Sequence, residues 1–198
     1  IEQVIIKPVE MTTDYQELEK KNIDLLLGMI EPSKIGPASS VEHIGMVTYP
    51  RAGEGYITLN ASEQGGATAE KAVRQALLFA FDRQKFVDAY FDCPEQGGAI
   101  AYVPTTMQNP VSVVGDVVNG TKTVEGLETY KYDIPKAKAL LDAAGWVDTD
   151  GDGIRDKNGE KLTVKVLAME DHDICNTLVP MWKEDWGNKL GVDVKVAV

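Results

Sequence analysis

Hydrophobic residues recur at helical spacing in several parts of the chain, and this pattern predicts amphipathic helices. The predicted helices cover residues 14–21, 72–81, 83–91, 134–144 and 173–190. Asp82 and Asp133 stand where a helix N-cap is expected, and Gly145 stands where a helix C-terminus favours a left-handed residue. The last helix must accommodate Pro180, which cannot donate a backbone hydrogen bond.

Short apolar or alternating segments between these helices predict β-strands. The predicted strands cover residues 4–6, 23–27, 44–49, 56–60, 162–167 and 192–198. Strands that alternate with helices are typical of an α/β fold. Residues 92–131 are rich in Gly, Pro, Thr and Asn and follow no sustained period, so this segment is predicted to be a long surface loop.

The charge and hydropathy of the chain limit the classes of partner that we expect it to bind. Its 198 residues include 20 Lys and Arg against 31 Asp and Glu, which gives a net charge of −11, and 43% of the residues are hydrophobic. An acidic surface repels phosphate backbones and anionic lipids, so we expect no nucleic-acid or membrane partner. No apolar run approaches the ~20 residues of a membrane-spanning helix. A soluble monomer is expected.

Several short segments follow one another in an order that is characteristic of one family. They are Tyr56–Asn60, Ala72–Ala76, Phe81–Arg83, Val103–Pro104, Tyr132–Ala137, Leu140–Leu141, Ala144–Trp146 and Asp148–Gly153. In this order they resemble the extracytoplasmic solute-binding proteins of ABC importers, the family that includes the dipeptide, oligopeptide and nickel binders. The run from Tyr132 to Gly153 is the most specific part of the resemblance.

The resemblance implies an α/β fold of the type II periplasmic-binding-protein kind, with a mixed sheet and flanking helices. It places residues 1–55 in a remnant of a first lobe and residues 56–198 in most of a second lobe. Family members are longer than this chain, so most of the first lobe and any targeting segment or lipoprotein anchor are expected outside these residues. The implied function is capture of a peptide or other small solute outside the cytoplasm and its delivery to an ABC permease, without catalysis.

One family contact region for the ligand is the junction between a strand and the following helix. Here that junction reads Met-Glu-Asp-His-Asp from residue 169, and Glu170, Asp171 and His172 are the candidate ligand-binding residues. Helix N-termini favour anionic groups. This junction is itself acidic and lacks the Arg of some dipeptide binders, so it suits a cationic or amine-bearing solute better. The alternative is an ordinary solvated helix cap.

An aspartate-rich loop provides a candidate calcium site. Its candidate ligands are Asp148, Asp150, Asp152 and Asp156, which surround Gly153 as oxygen ligands do in EF-hand-like loops. The twelfth position holds Gly159 in place of the bidentate Glu of an EF-hand, and Glu160 comes one residue late. The alternative is a β-turn built from Asp and Gly. A calcium site would favour a second function, that of a calcium-dependent structural or adhesion module of a cell-surface protein.

The sequence gives little reason to expect a catalytic site. The only histidines are His43 and His172, and neither a Gly-x-Ser-x-Gly nor a His-Glu-x-x-His motif is present. No catalytic residue is therefore assigned, although a hydrolase with an unrecognised site is a third alternative. Cys93 and Cys175 lie in no metal-binding spacing, and the sequence leaves open whether they form a disulfide.

Overall fold

A computed structural model describes residues 2–49, 53–104, 113–170 and 172–197. Contacts along the chain divide it into two compact units. The smaller unit comprises Ile1–Arg51 and Tyr90–Tyr102, and the larger unit comprises Ala52–Ala89 and Val103–Val198. None of the helices in the described part of the chain is long and apolar enough to span a bilayer.

The described part of the smaller unit contains two short α-helices and a hairpin with two residues in each strand, whose loop includes a 3₁₀ turn at Pro94–Gln96. Its elements are α1 (Asp14–Glu19), α2 (Pro32–Ser39), β1 (Asp92–Cys93) and β2 (Gly98–Ala99). Pro32 opens α2, where its missing N–H has no helical partner to lose. Ile35 and Ala38 of α2 and Cys93 of β1 are buried and form the small core of this unit.

Four predicted strands in the first sixty residues are wrong. Residues 4–6, 23–27, 44–49 and 56–60 form no strand among the described residues. Apolar side chains of the first three segments are largely exposed, with Ile6 91%, Leu25 70% and Val47 89% exposed. In the fourth segment, Ile57 and Leu59 are partly buried against the core. An extended segment becomes a strand only when a neighbour pairs its N–H and C=O groups. The described residues supply no such neighbour to these segments, so the apolar pattern alone does not produce a sheet.

Most of the remaining helices confirm the predicted helical pattern, whereas one short helix lies in the segment that was predicted to be a loop. They are α3 (Lys71–Phe79), α4 (Arg83–Tyr90), α5 (Gly115–Val118), α6 (Ile134–Ala143) and α7 (Asp173–Trp182). Helix α7 accommodates Pro180 and continues as a π-helical turn over Lys183–Asn188. The segment predicted as a long loop contains β1, β2 and α5, because Val118 and Cys93 are fully buried and anchor these short elements.

Two strand pairs belong to the larger unit. Strands β3 (Asp156–Lys157) and β4 (Glu160–Lys161) form an antiparallel hairpin. Its turn residues Asn158 and Gly159 both have positive φ, of 54° and 82°, as a type I′ turn requires. Strands β5 (Thr163–Leu167) and β6 (Asp193–Ala197) are parallel, with Thr163 opposite Asp193. Helix α7 connects them, which confirms the α/β class.

The core of the larger unit lies between these helices and β5–β6. It contains Val73, Leu77, Ala137, Leu141, Leu162, Val164, Val166, Trp182 and Trp186. The rings of Trp182 and Trp186 stack with centroids 5.5 Å apart, and the Trp186 indole N–H donates to the Leu77 carbonyl at 3.0 Å. Burying one large apolar side chain stabilises a fold by about 1.5–3 kcal/mol. This packing holds the carboxyl end of α7 and the π-helical turn that follows it against the core, and the hydrogen bond ties that turn to α3.

Candidate functional site

The candidate ligand-binding residues lie between strand β5 and helix α7. Because β5 and β6 are parallel, their carboxyl ends, Leu167 and Ala197, lie at the same edge of the sheet. Strand β5 ends at Leu167, and helix α7 begins at Asp173. Ligands of open α/β sheets bind outside the carboxyl ends of the strands. The fold therefore brings the strand-to-helix junction to an edge that is suited to a ligand.

The carboxylate of Glu170 is an accessible charge of this junction. Glu170 is exposed, and within the described residues its side chain has no hydrogen-bond or ion-pair partner. Asp173, the first residue of α7, is also exposed. Asp171, the second candidate residue, lies outside the described residues. The junction thus offers negative charge that no described cation of the chain neutralises.

His172 is the N-cap residue of α7 but does not cap the helix with its side chain. Its backbone is extended, with φ −103° and ψ 120°, and it makes no side-chain capping hydrogen bond. Its Nδ1 atom is buried and has no hydrogen-bond partner among the described residues. A buried nitrogen without a partner costs about 1–3 kcal/mol. The imidazole of His172 therefore does not supply the N-cap of α7 among the described residues.

A backbone contact folds the junction onto the first turn of α7. The N–H of Met169 donates to Sγ of Cys175 at 3.4 Å. Cys175 is half-buried, and both it and Cys93 are free cysteines. This contact brings the backbone of Met169 next to the first turn of α7.

Two exposed apolar side chains lie at the junction, and one of them, Leu167, was not singled out from the sequence. Leu167 is 82% exposed and Met169 is 61% exposed. Leu167 follows Lys165 by two residues, on the face of β5 opposite the buried Val164 and Val166, and Met169 lies two residues beyond the end of the strand. The alternation of β5 was the signal that could have identified Leu167. An exposed apolar pair next to a free carboxylate suits a ligand with both apolar and cationic groups.

The aspartate-rich loop brings together three of its four candidate calcium ligands. Carboxylate oxygens of Asp148, Asp150 and Asp156 lie within 4.8 Å of one another. Asp152 does not belong to this group of described residues. Asp156 is buried, whereas Asp148 and Asp150 are exposed.

Backbone and hydroxyl groups of the same loop already bind two of these carboxylates. Asp148 accepts from the N–H groups of Gly151 and Gly153, at 2.7 and 2.9 Å. Asp156 accepts from the N–H and the hydroxyl of Thr149, at 2.9 and 2.6 Å. The hydrogen bonds from Thr149 lower the pKa of Asp156 below its ordinary value. These contacts are those of a turn stabilised by its own Asp side chains.

Lys161 supplies a cation to the exposed side of the loop. Its Nζ lies 2.7 Å from Asp150 and 2.9 Å from Asp152. The hydrogen bonds to these two carboxylates raise the pKa of Lys161, and the bond from Lys161 lowers the pKa of Asp150. The loop therefore contains a positive charge of its own where the sequence suggested calcium.

Arg155 attaches this loop to the rest of the larger unit. Its guanidinium donates to the carbonyl groups of Leu190 and Trp146, at 2.9 and 2.6 Å, and pairs with Asp142. Trp146 is 5% exposed and fills the corner that follows α6. The part of the sequence that most resembles the family therefore stabilises the fold in this structure.

Comparison with known proteins identifies the family. The family model described as bacterial extracellular solute-binding proteins, family 5 middle, matches residues 1–198. The oligopeptide-binding protein AppA of Bacillus subtilis is 31% identical over 143 residues, which are 72% of this chain and 24% of AppA. The nickel-binding periplasmic protein of Escherichia coli is 28% identical over 129 residues, which are 65% of this chain and 22% of the relative.

Solved structures show the same relationship. The structure of AppA in complex with a nonapeptide has a TM-score of 0.54 at 28% identity, and the match covers 68% of this chain and 24% of AppA. NikA of Brucella suis, solved with Fe(III)-EDTA, has a TM-score of 0.61 at 22% identity, which supports the fold alone. That match covers 94% of this chain and 35% of NikA.

The chain spans about a quarter of the length of the curated relatives it matches, with 24% of AppA and 22% of the nickel-binding protein covered. The sequence resemblance and the type II periplasmic-binding-protein fold class are both confirmed by these matches. The chain therefore belongs to the bacterial extracellular solute-binding proteins of family 5.

Proposed function

We propose that the protein containing this chain captures a peptide outside the cytoplasmic membrane and delivers it to the permease of an ABC transporter. The observation that carries the proposal is the match of the family model to the whole of residues 1–198. The peptide class follows from AppA, an oligopeptide-binding protein whose structure holds a nonapeptide. The protein acts as a monomer in the periplasm or anchored at the cell surface, and it binds its solute without reacting with it.

The proposed ligand contact is the junction formed by Glu170, Asp171 and His172. Glu170 supports this role because its carboxylate is exposed and unpaired among the described residues. A carboxylate and an ammonium group 4 Å apart attract each other by about 1–4 kcal/mol near a protein surface. A peptide presents such an ammonium group at its amino terminus. Leu167 and Met169 offer apolar surface next to that charge.

The proposed lobes follow the same division as the resemblance, with residues 1–55 in the first lobe and 56–198 in the second. Long relatives and the exposed apolar segments near Ile6, Leu25 and Val47 support a first lobe that other parts of the parent protein complete. Ligand held between two lobes is enclosed and desolvated when the lobes close. In this arrangement, the residues of this chain that contact the peptide form one side of the binding site.

The calcium-dependent adhesion module is not proposed. The relatives described above carry names that describe solute binding. The ammonium group of Lys161 already pairs with Asp150 and Asp152. A calcium ion in this loop would have to displace the ammonium group of Lys161, because the two positive charges repel each other.

Mass spectrometry of the compounds that copurify with the full-length protein tests the proposed function. We expect peptides with a free amino terminus. Recovery of a nickel chelate or a sugar, with no peptide bound, would overturn the peptide proposal. The Glu170→Gln variant tests the site separately, since it should retain less peptide. Glu160→Gln is the matched control, because Glu160 is an exposed glutamate in β4, outside the junction.

A further inference from the structure

We draw no further inference here: the strongest candidate, the outward face of the parallel sheet β5–β6, where Lys165 and Lys195 lie opposite each other and Leu167 is exposed, carries nothing because the described residues do not show what covers it.

Discussion

The ammonium group of Lys161 lies 2.7 Å from the carboxylate of Asp150, in the loop whose spacing resembles a calcium site. The same group lies 2.9 Å from Asp152. Lysine and calcium are alternative ways to neutralise a cluster of carboxylates, since like charges in close proximity repel one another. In this chain the neutralising charge is covalently part of the hairpin, because Lys161 belongs to strand β4.

We expect the unfolding temperature of the wild-type protein to be the same in millimolar calcium and in chelator. The Lys161→Met variant should unfold at a lower temperature and should regain stability when calcium is added. The physical reason is that an ion selective for the folded state stabilises it by about 2.7 kcal/mol at 100 times its dissociation constant. Thermal unfolding monitored by circular dichroism measures both effects.

Lys165→Met is the control for the loss of a lysine, because Lys165 is exposed on β5 and has no ion-pair partner among the described residues. It should alter neither the unfolding temperature nor its response to calcium. A wild-type protein stabilised by calcium and weakened by chelator would contradict the role given to Lys161.

Thr149 gives a second prediction, about pH. Its N–H and hydroxyl hold the pKa of Asp156 below the ordinary value. The stability that these bonds contribute is therefore complete above about pH 4, the ordinary Asp pKa, and is lost as the pH falls through the lower pKa of the folded state. Thr149→Val removes the hydroxyl bond, so its deficit in stability should be largest near neutral pH and should shrink in acid.

Urea unfolding at a series of pH values measures this difference. Thr177→Val is the matched control, because the Thr177 hydroxyl donates to a carbonyl group, that of Asp173, at 3.4 Å. A carbonyl does not titrate, so any deficit of this variant should be independent of pH. An equal pH dependence in the two variants would show that the Asp156 carboxylate is not the acceptor that matters.

The packing of α3 predicts that replacing either of two neighbouring leucines lowers the free energy of unfolding by a different amount. Leu77 is 1% exposed in the core, whereas Leu78 is 39% exposed. Leu77→Ala should lower the free energy of unfolding by about 2–5 kcal/mol, the usual cost of emptying a buried leucine site. Leu78→Ala should cost less than about 1 kcal/mol, because a partly exposed side chain leaves no enclosed cavity. Similar losses in the two variants, measured by urea unfolding, would contradict the position of α3 in the core.

The sequence predicted those elements whose determinants are local. Asp133 caps α6 as expected, since its carboxylate accepts from the Lys136 N–H at 2.8 Å. Gly145 follows α6 and has a φ of 83°, the left-handed conformation that glycine favours after a helix. The alternation of Val164 and Val166 likewise predicted β5, whose inward residues are buried. Each of these signals lies within a few residues of the feature that it specifies.

Features that depend on distant partners were not predictable in this way. Ile6 and Val47 lie in segments with strand-like composition, but strands also need a paired neighbour, which composition does not reveal. Likewise, the aspartate spacing is the same whether calcium or Lys161 neutralises the loop, and Lys161 stands 11 positions after Asp150. In the candidate site, the roles of Glu170 and His172 stay predictions, whereas the exposure of Leu167 follows the alternation of β5 and was not inferred from it.

The proposed first lobe predicts that Ile6 is buried in the full-length protein. In these 198 residues Ile6 is 91% exposed. Ile6→Ser should therefore cost about 1.5–3 kcal/mol of stability in the full-length protein and almost nothing in the 198-residue chain. Gln3→Ser is the control, because Gln3 is an exposed polar residue of the same segment. Equal tolerance of Ile6→Ser in both proteins, measured by chemical unfolding, would contradict a first lobe completed around this segment.

Peptide binding by the full-length protein is the central claim, and calorimetric titration tests it most directly. With oligopeptides that have a free amino terminus, we expect saturable binding with a dissociation constant near 1 μM or tighter, which is about −8 kcal/mol. Glu170→Gln should weaken that affinity about tenfold, or about 1.4 kcal/mol, and Glu160→Gln should leave it unchanged. Unchanged affinity in Glu170→Gln would contradict the assignment of the site, whereas the absence of saturable binding to any oligopeptide would contradict the proposed function itself.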